Sequence, residues 1–295
     1  MKRILMAAIA LACMTGGSAA TLRAQDQTAP PPKVLLIIRE MVKVGKGTAH
    51  AKNEAAFARA FAAVKAPDRY LAVTTMSGPS EAWFLEGFDS YAEWEKTNQY
   101  DDQPKVGAAI GPIMERDADY ISDGNQSVAT FNEKWSYRPA MNIAEMRYFE
   151  VETIRLRPGH DKDWEDLVTL FNTTAGKIKM DEHDIFYEAR YGAPAGTVYI
   201  FTPRKSLADL DAAMGAGKAF QDALGPDGQK KWAQLIEATI ANDNTTLVHF
   251  SPEMSFPPEA WVKADPDYWK PNAMAAPKAP APAAAAPKPA PATKN

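Results

Sequence analysis

The sequence predicts an α+β fold: two tandem β-α-β-β-α-β units in one chain, packed sheet to sheet. Three observations predict it. Residues 34–136 and 146–255 carry one pattern twice, displaced by a little over 110 positions. Within each copy the apolar residues alternate between a period of two and a period near 3.6, as strands and helices require. Glycine and proline punctuate both copies at matching places.

Each copy opens with a strand, Val34 to Val44 and Met146 to Leu156. In the second, Phe149, Val151 and Thr153 alternate with Glu150, Glu152 and Ile154. Gly47 and Gly159 mark the following turn. A helix comes next, with Phe57, Ala60, Phe61 and Val64 on one stripe and Trp164, Leu167, Val168 and Phe171 on its counterpart. A second strand runs over Tyr70 to Ser77 and Ile185 to Tyr191. Gly78-Pro79 and the run from Gly192 to Gly196 then turn the chain into a third strand carrying Trp83-Phe84-Leu85 and Tyr199-Ile200-Phe201. Ser90 and Ser206 read as N-caps of the next helix, because a serine hydroxyl can accept the free amide protons of a first turn. Further helical segments carry Val106, Ile110, Ile113 and Met114, and Trp232, Leu235, Ile236 and Ile240. A last strand closes each copy at Ser127–Phe131 and Thr246–Phe250. This order is the ferredoxin-like split βαβ unit, whose sheet has helices on one face only, so the other face needs cover.

The ends read differently. Residues 1–24 have the pattern of a signal peptide: Lys2 and Arg3, a short apolar run from Ile4 to Met14, then small residues at Ser18-Ala19-Ala20 and again at Ala24. The run is shorter than the roughly 20 residues a membrane span needs. A secreted or periplasmic protein is expected. Cys13, the single cysteine, loosely fits a lipobox, and a lipoprotein is the lesser reading. Residues 137–145 read as a linker and 256–272 as an aromatic, proline-bearing extension that covers apolar surface. Residues 273–295 are alanine, proline and lysine with nothing to pack, the composition of a disordered tail. Net charge is −4, and −6 without Lys2 and Arg3, with no basic stripe, which argues against nucleic acid as a partner.

The opening from Tyr148 to Gly159, a strand ending Arg-Pro-Gly before an acidic amphipathic helix, resembles the dimeric α+β barrel superfamily. The NIPSNAP-like and antibiotic-biosynthesis-monooxygenase-like families are the most similar branches. The resemblance implies two facing units, here within one chain: a monomer with a pseudo-dimeric core, higher oligomers being left open. Its members include cofactor-independent monooxygenases, haem-binding and haem-degrading proteins, and proteins without known activity, so fold alone decides no chemistry.

A site is expected in the barrel interior, where a ligand can be enclosed. Glu40 and Glu152 occupy matching strand positions at a displacement of 112, so both should approach one pseudo-twofold axis and share a space. With Arg190 they are the candidate catalytic residues, since adjacent carboxylates raise each other's pKa and suit proton transfer. Trp83, Tyr187, Tyr199 and Phe201 are the candidate ligand-binding aromatics. Among the histidines, His50 and His160 fall at helix starts and are expected to face solvent. Asp181-Glu182-His183-Asp184 lacks metal-ligand spacing and reads as a polar loop. No metal and no cofactor is expected, and no nucleophile elbow, P-loop or dinucleotide fingerprint occurs. The resulting expectation is an exported, non-catalytic protein that binds a small apolar or aromatic ligand, or a partner, at the barrel. The alternative, implied by the resemblance alone, is a cofactor-independent monooxygenase or a haem-handling enzyme.

Overall fold

The computed structural model describes residues 28–270. The signal-like segment with Cys13 and the tail from 273 lie outside them. The elements run β1 (Val34–Val42), α1 (Gly47–Val64), β2 (Tyr70–Thr75), β3 (Glu81–Phe88), α2 (Tyr91–Asp101), α3 (Pro104–Asp117) and β4 (Ile121–Phe131). There follow a 3-10 turn (Ile143–Glu145), β5 (Tyr148–Leu156), α4 (Asp161–Lys177), β6 (Ile185–Tyr191), β7 (Thr197–Arg204), α5 (Ala208–Thr239), β8 (Ile240–Phe250), and the short α6 (Glu259–Ala264) and α7 (Pro266–Trp269).

The eight strands form one closed antiparallel barrel in the order β1-β3-β2-β8-β5-β7-β6-β4. Each half contributes four adjacent strands, and the halves join edge to edge at two seams, β2 with β8 and β4 with β6. The seams are short, so the first halves of β4 and β8 pair on one side only, with β1 and β5. Odd-numbered residues of β1, β3 and β5 point inward, and the interior is a packed core in which Val73, Trp83, Val151, Val248 and Phe250 are almost wholly buried. The outer face is covered as well: α1 lies over the first half, where Phe61 packs against Tyr70 and Phe84, and α4 and α5 lie over the second. With both faces covered, Val34-Leu35-Leu36-Ile37 is an unbroken buried run rather than an alternating one.

Several elements differ from the expectation. β4 and β8 begin at Ile121 and Ile240, about six residues earlier than the apolar pattern indicates, because their first halves are exposed and polar on both faces. Ile240 is therefore strand, not helix. Ser90 caps α2 by accepting the Glu93 amide at 3.1 Å. Ser206 caps nothing. There the Asp209 carboxylate accepts the amides of Lys205 and Ser206 and the Ser206 hydroxyl, and α5 starts later. The turn glycine after β1 is Gly45, at φ 78°, which matches Gly159 at φ 84°.

One end of the barrel is roofed by the segments before β1, between β4 and β5, and after β8. Trp269 is buried and donates its indole N–H to the Ala144 carbonyl at 2.9 Å. The Tyr268 hydroxyl donates to the Phe250 carbonyl at 3.0 Å. Beneath this roof is an apolar cavity of about 270 Å³ lined by Leu71, Leu85, Phe149, Tyr187, Phe201 and Trp261 among others. No helix among the described residues is long and apolar enough to cross a membrane.

Candidate functional site

The main concentration of unusual side chains lies outside the barrel wall, between the outer face of β5, β6 and β7 and helices α4 and α5. A cleft of about 440 Å³ opens there. Its aromatic side is built by Trp164 and Phe171 of α4, Phe186 of β6, and Phe220 and Trp232 of α5. A break in α5 makes this possible. Gly225 has φ 65° and ψ 175°, followed by Pro226, so the helix folds back on itself. Phe220 and Trp232 are twelve residues apart, about 18 Å along a straight helix, yet their rings meet edge to face at 5.2 Å. Phe171 packs against both, at 5.4 and 6.3 Å.

The other side of the cleft is charged. Outward-pointing residues of β5 place Glu150 and Glu152 there, and the chain entering β6 adds Glu182 and Asp184. Arg204, at the end of β7, is buried and pairs with Glu150 at 2.7 Å and Glu182 at 2.5 Å. The Asp184 carboxylate accepts the Thr202 hydroxyl at 2.7 Å. Burial pushes the Glu152 carboxyl up to about 7, with Asp243, Asp184 and Glu150 adding to the rise. Burial also raises Asp184, to about 6, against the opposing Thr202 hydrogen bond. Glu152 therefore exchanges its proton near neutral pH, the range in which a carboxyl serves as acid or base. Across from it, Trp164 is buried and its indole Nε1 has no hydrogen-bond partner.

Glu40 does not join Glu152. Strands β1 and β5 are diametrically opposite in the barrel order, and both glutamates point outward. Their pairing in sequence is also two residues out of register. The bulges after Met41 and after Arg155 make Val42 the counterpart of Leu156, a displacement of 114, so Glu40 corresponds to Ile154. A slip of two leaves each side chain on the same face, so the alternating pattern did not reveal it. Arg190 is likewise elsewhere, exposed on the outside of β6, where it pairs with Glu188 at 2.7 Å and donates to Thr130 at 2.8 Å.

The four aromatics separate into two groups. Tyr187 and Phe201 line the apolar cavity at the barrel end. Trp83 and Tyr199 are packed in the interior. The Trp83 indole N–H donates to Glu81 at 2.6 Å beneath the Arg39 guanidinium, and Tyr199 shares a hydrogen bond with Ser127 at 3.1 Å. Two of the four aromatics thus line a cavity inside one end of the barrel, and the other two are packed side chains.

Among the histidines, His160 is half exposed and bonded to Asp163 at 2.9 Å. His50 does not face solvent: it is 2% exposed, with Nε2 2.8 Å from Glu40. α1 lies with its first turn against the outer face of β1, so a residue at the helix start is covered. Beside them, burial together with Glu40 and Asp117 pushes Glu54 up to about 9. The sequence pattern does not mark Arg204 and assigns Glu182 and Asp184 to a polar loop, whereas both line the cleft. The two-residue spacing of Glu182 and Asp184 at the start of β6 is the signal that places both on one face.

No protein-family profile matches the sequence, and no curated protein does. Some solved structures are similar in part. A "Putative monooxygenase" from Fusobacterium nucleatum is 11% identical, with 75% of this chain and 93% of that one covered at a TM-score of 0.49. An "anthrone oxidase-like protein" is 9% identical, covering 77% and 93%, at 0.48. A mutant chlorite dismutase from Candidatus Nitrospira defluvii is 10% identical, covering 79% and 95%, at 0.46. At these identities and TM-scores the likeness carries no activity over to this chain.

Proposed function

We propose that this protein binds a small planar aromatic molecule in the cleft between the second half of the barrel and helices α4 and α5. The observation that carries the reading is one aromatic cleft holding both Trp164, whose buried indole N–H lacks a partner, and Glu152, a carboxyl that titrates near 7. A ligand that supplies an acceptor to the first and an O–H or N–H to the second would satisfy both, and buried polar groups left unpaired are costly. Aromatic walls with a few convergent polar groups are the usual make-up of small-molecule sites.

The test is calorimetric titration with 2-naphthol, set against 2-naphthoate. We expect saturable binding of the phenol, exclusion of the anion by the acidic floor, and binding about tenfold weaker after Trp232→Ala. An absence of saturable binding, or binding indifferent to both Trp232→Ala and Glu152→Gln, would overturn the reading.

A second reading, a cofactor-independent enzyme that takes a proton from its substrate, is favoured by the titration of Glu152 near neutrality. It expects dioxygen uptake with a dihydroxynaphthalene that Glu152→Gln abolishes. Haem suits this cleft poorly: none of the four histidines lines it, and its floor is acidic, which repels propionates.

Export is part of the proposal, supported by the Lys2-Arg3 start and the short apolar run. Mass spectrometry of secreted protein should find a mature N-terminus after Ala20 or Ala24. The two halves read as copies of one ferredoxin-like unit, a reading supported by their matching element and strand orders.

A further inference from the structure

We propose that Glu40, His50, Glu54 and Asp117 form a binding site for one divalent first-row transition-metal ion, in the half of the barrel opposite the aromatic cleft. Glu40 comes from the outer face of β1, His50 and Glu54 from successive turns of α1, and Asp117 from the last residue of α3. One ligand atom from each lies within 4.8 Å of all the others. His50 Nε2 is 2.8 Å from Glu40, 3.9 Å from Glu54 and 3.8 Å from Asp117. Ligand atoms held about 2.1 Å from a metal stand about 3 to 4 Å apart, so small side-chain shifts convert this group into a coordination sphere.

Glu54 is an independent pointer. It is 5% exposed, and its Oε1, the atom 3.9 Å from His50, has no hydrogen-bond partner. A buried carboxyl oxygen left unpaired is costly, and coordination, which displaces the carboxyl proton, removes that cost. The group is also held from behind. Asn53 donates to Asp117 Oδ1 at 3.2 Å and to the Ile113 carbonyl at 3.1 Å, while its own carbonyl accepts from Arg116 at 3.3 Å. Such outer partners fix the orientation of metal ligands. Glu40, with 18% of its side chain exposed, is the least buried of the four and offers the ion a way in. Three carboxylates with one imidazole suit Mn²⁺, Fe²⁺ or Zn²⁺ rather than a soft cation.

The experiment uses untagged mature protein, stripped with chelator and dialysed. It is titrated calorimetrically with MnCl₂ and ZnCl₂, and with CoCl₂ followed by visible absorption and by proton NMR. We expect one ion per chain, cobalt d–d bands, and one histidine with paramagnetically shifted imidazole protons. Glu54→Gln and His50→Gln should lose binding, and Asn53→Ala should weaken it about 10- to 100-fold. Titration of 2-naphthol should be unchanged in all three. Failure of all three ions to bind stoichiometrically would overturn the proposal, as would equal binding by the protein and both ligand variants. Should a variant fail to fold, the cobalt protein decides alone: no shifted histidine overturns the site.

Discussion

Gly192 and Gln126 leave no room for a side chain between them. A Cβ on Gly192 would lie 1.9 Å from the Gln126 carbonyl oxygen, and the glycine has φ 74°. The contact sits beside the β4–β6 seam, next to the pairing of Tyr191 with Val128, where the register shifts. Gly192→Ala should therefore cost about 2 to 3 kcal/mol, from a disfavoured backbone conformation and a forced displacement of β4. Urea unfolding measures it. Gly78, in the equivalent first-half turn at φ 79° but with nothing within 4 Å of a Cβ, should lose only about 1 kcal/mol on the same change.

Glu152 makes stability depend on pH in a defined direction. Its folded pKa, about 7, lies above the unfolded value, so between roughly pH 4.5 and 7 the folded state holds a proton that the unfolded state has released. Its contribution to stability falls as pH rises through that window and is flat above it. Glu152→Gln should be close to neutral at pH 4.5 and stabilising by on the order of 2 kcal/mol at pH 8. Thermal unfolding of both proteins across this range is the check.

Arg204 and Arg190 should behave oppositely despite similar pairings. Arg204 is buried between Glu150 and Glu182, and Arg204→Met strands two carboxylates in the cleft. A loss of about 3 kcal/mol is expected, because the penalty is an uncompensated buried charge. Arg190 pairs with Glu188 in solvent, and Arg190→Met should change stability by less than about 1 kcal/mol. Denaturant midpoints of the two variants give the comparison.

Trp269 joins the C-terminal extension to the barrel end through its bond to Ala144 and its rings against Trp261, Tyr268 and Phe250. Trp269→Ala should cost about 3 to 5 kcal/mol, the usual penalty for emptying a buried indole site. It should also open the apolar cavity lined by Tyr187 and Phe201 to solvent. Increased binding of a hydrophobic dye under native conditions reports this; unchanged dye binding and stability would show the roof to be held elsewhere.

The kinds of element and their order are written in local residue patterns. Strand and helix periodicities are local properties, so Ile185–Tyr191 and the amphipathic face carrying Trp164, Leu167 and Val168 were legible without tertiary information. The glycines of the hairpin turns were legible too, since a positive φ demands them.

Which face of each strand lies inside, and what meets there, follows from packing between elements. In β1 the run Val34 to Ile37 is buried on both faces, so alternation disappears there and cannot assign Glu40 to the helix side. The two-residue slip between the halves preserves facing and leaves no trace in the pattern. The break at Gly225 brings Phe220 to Trp232, and packing of α1 against β1 and α3 buries His50 between Glu40 and Asp117. Such contacts carry no period. They arise because barrel closure fixes where each helix lies, and a charged strand residue beneath a helix then gains partners that its sequence neighbours do not foretell.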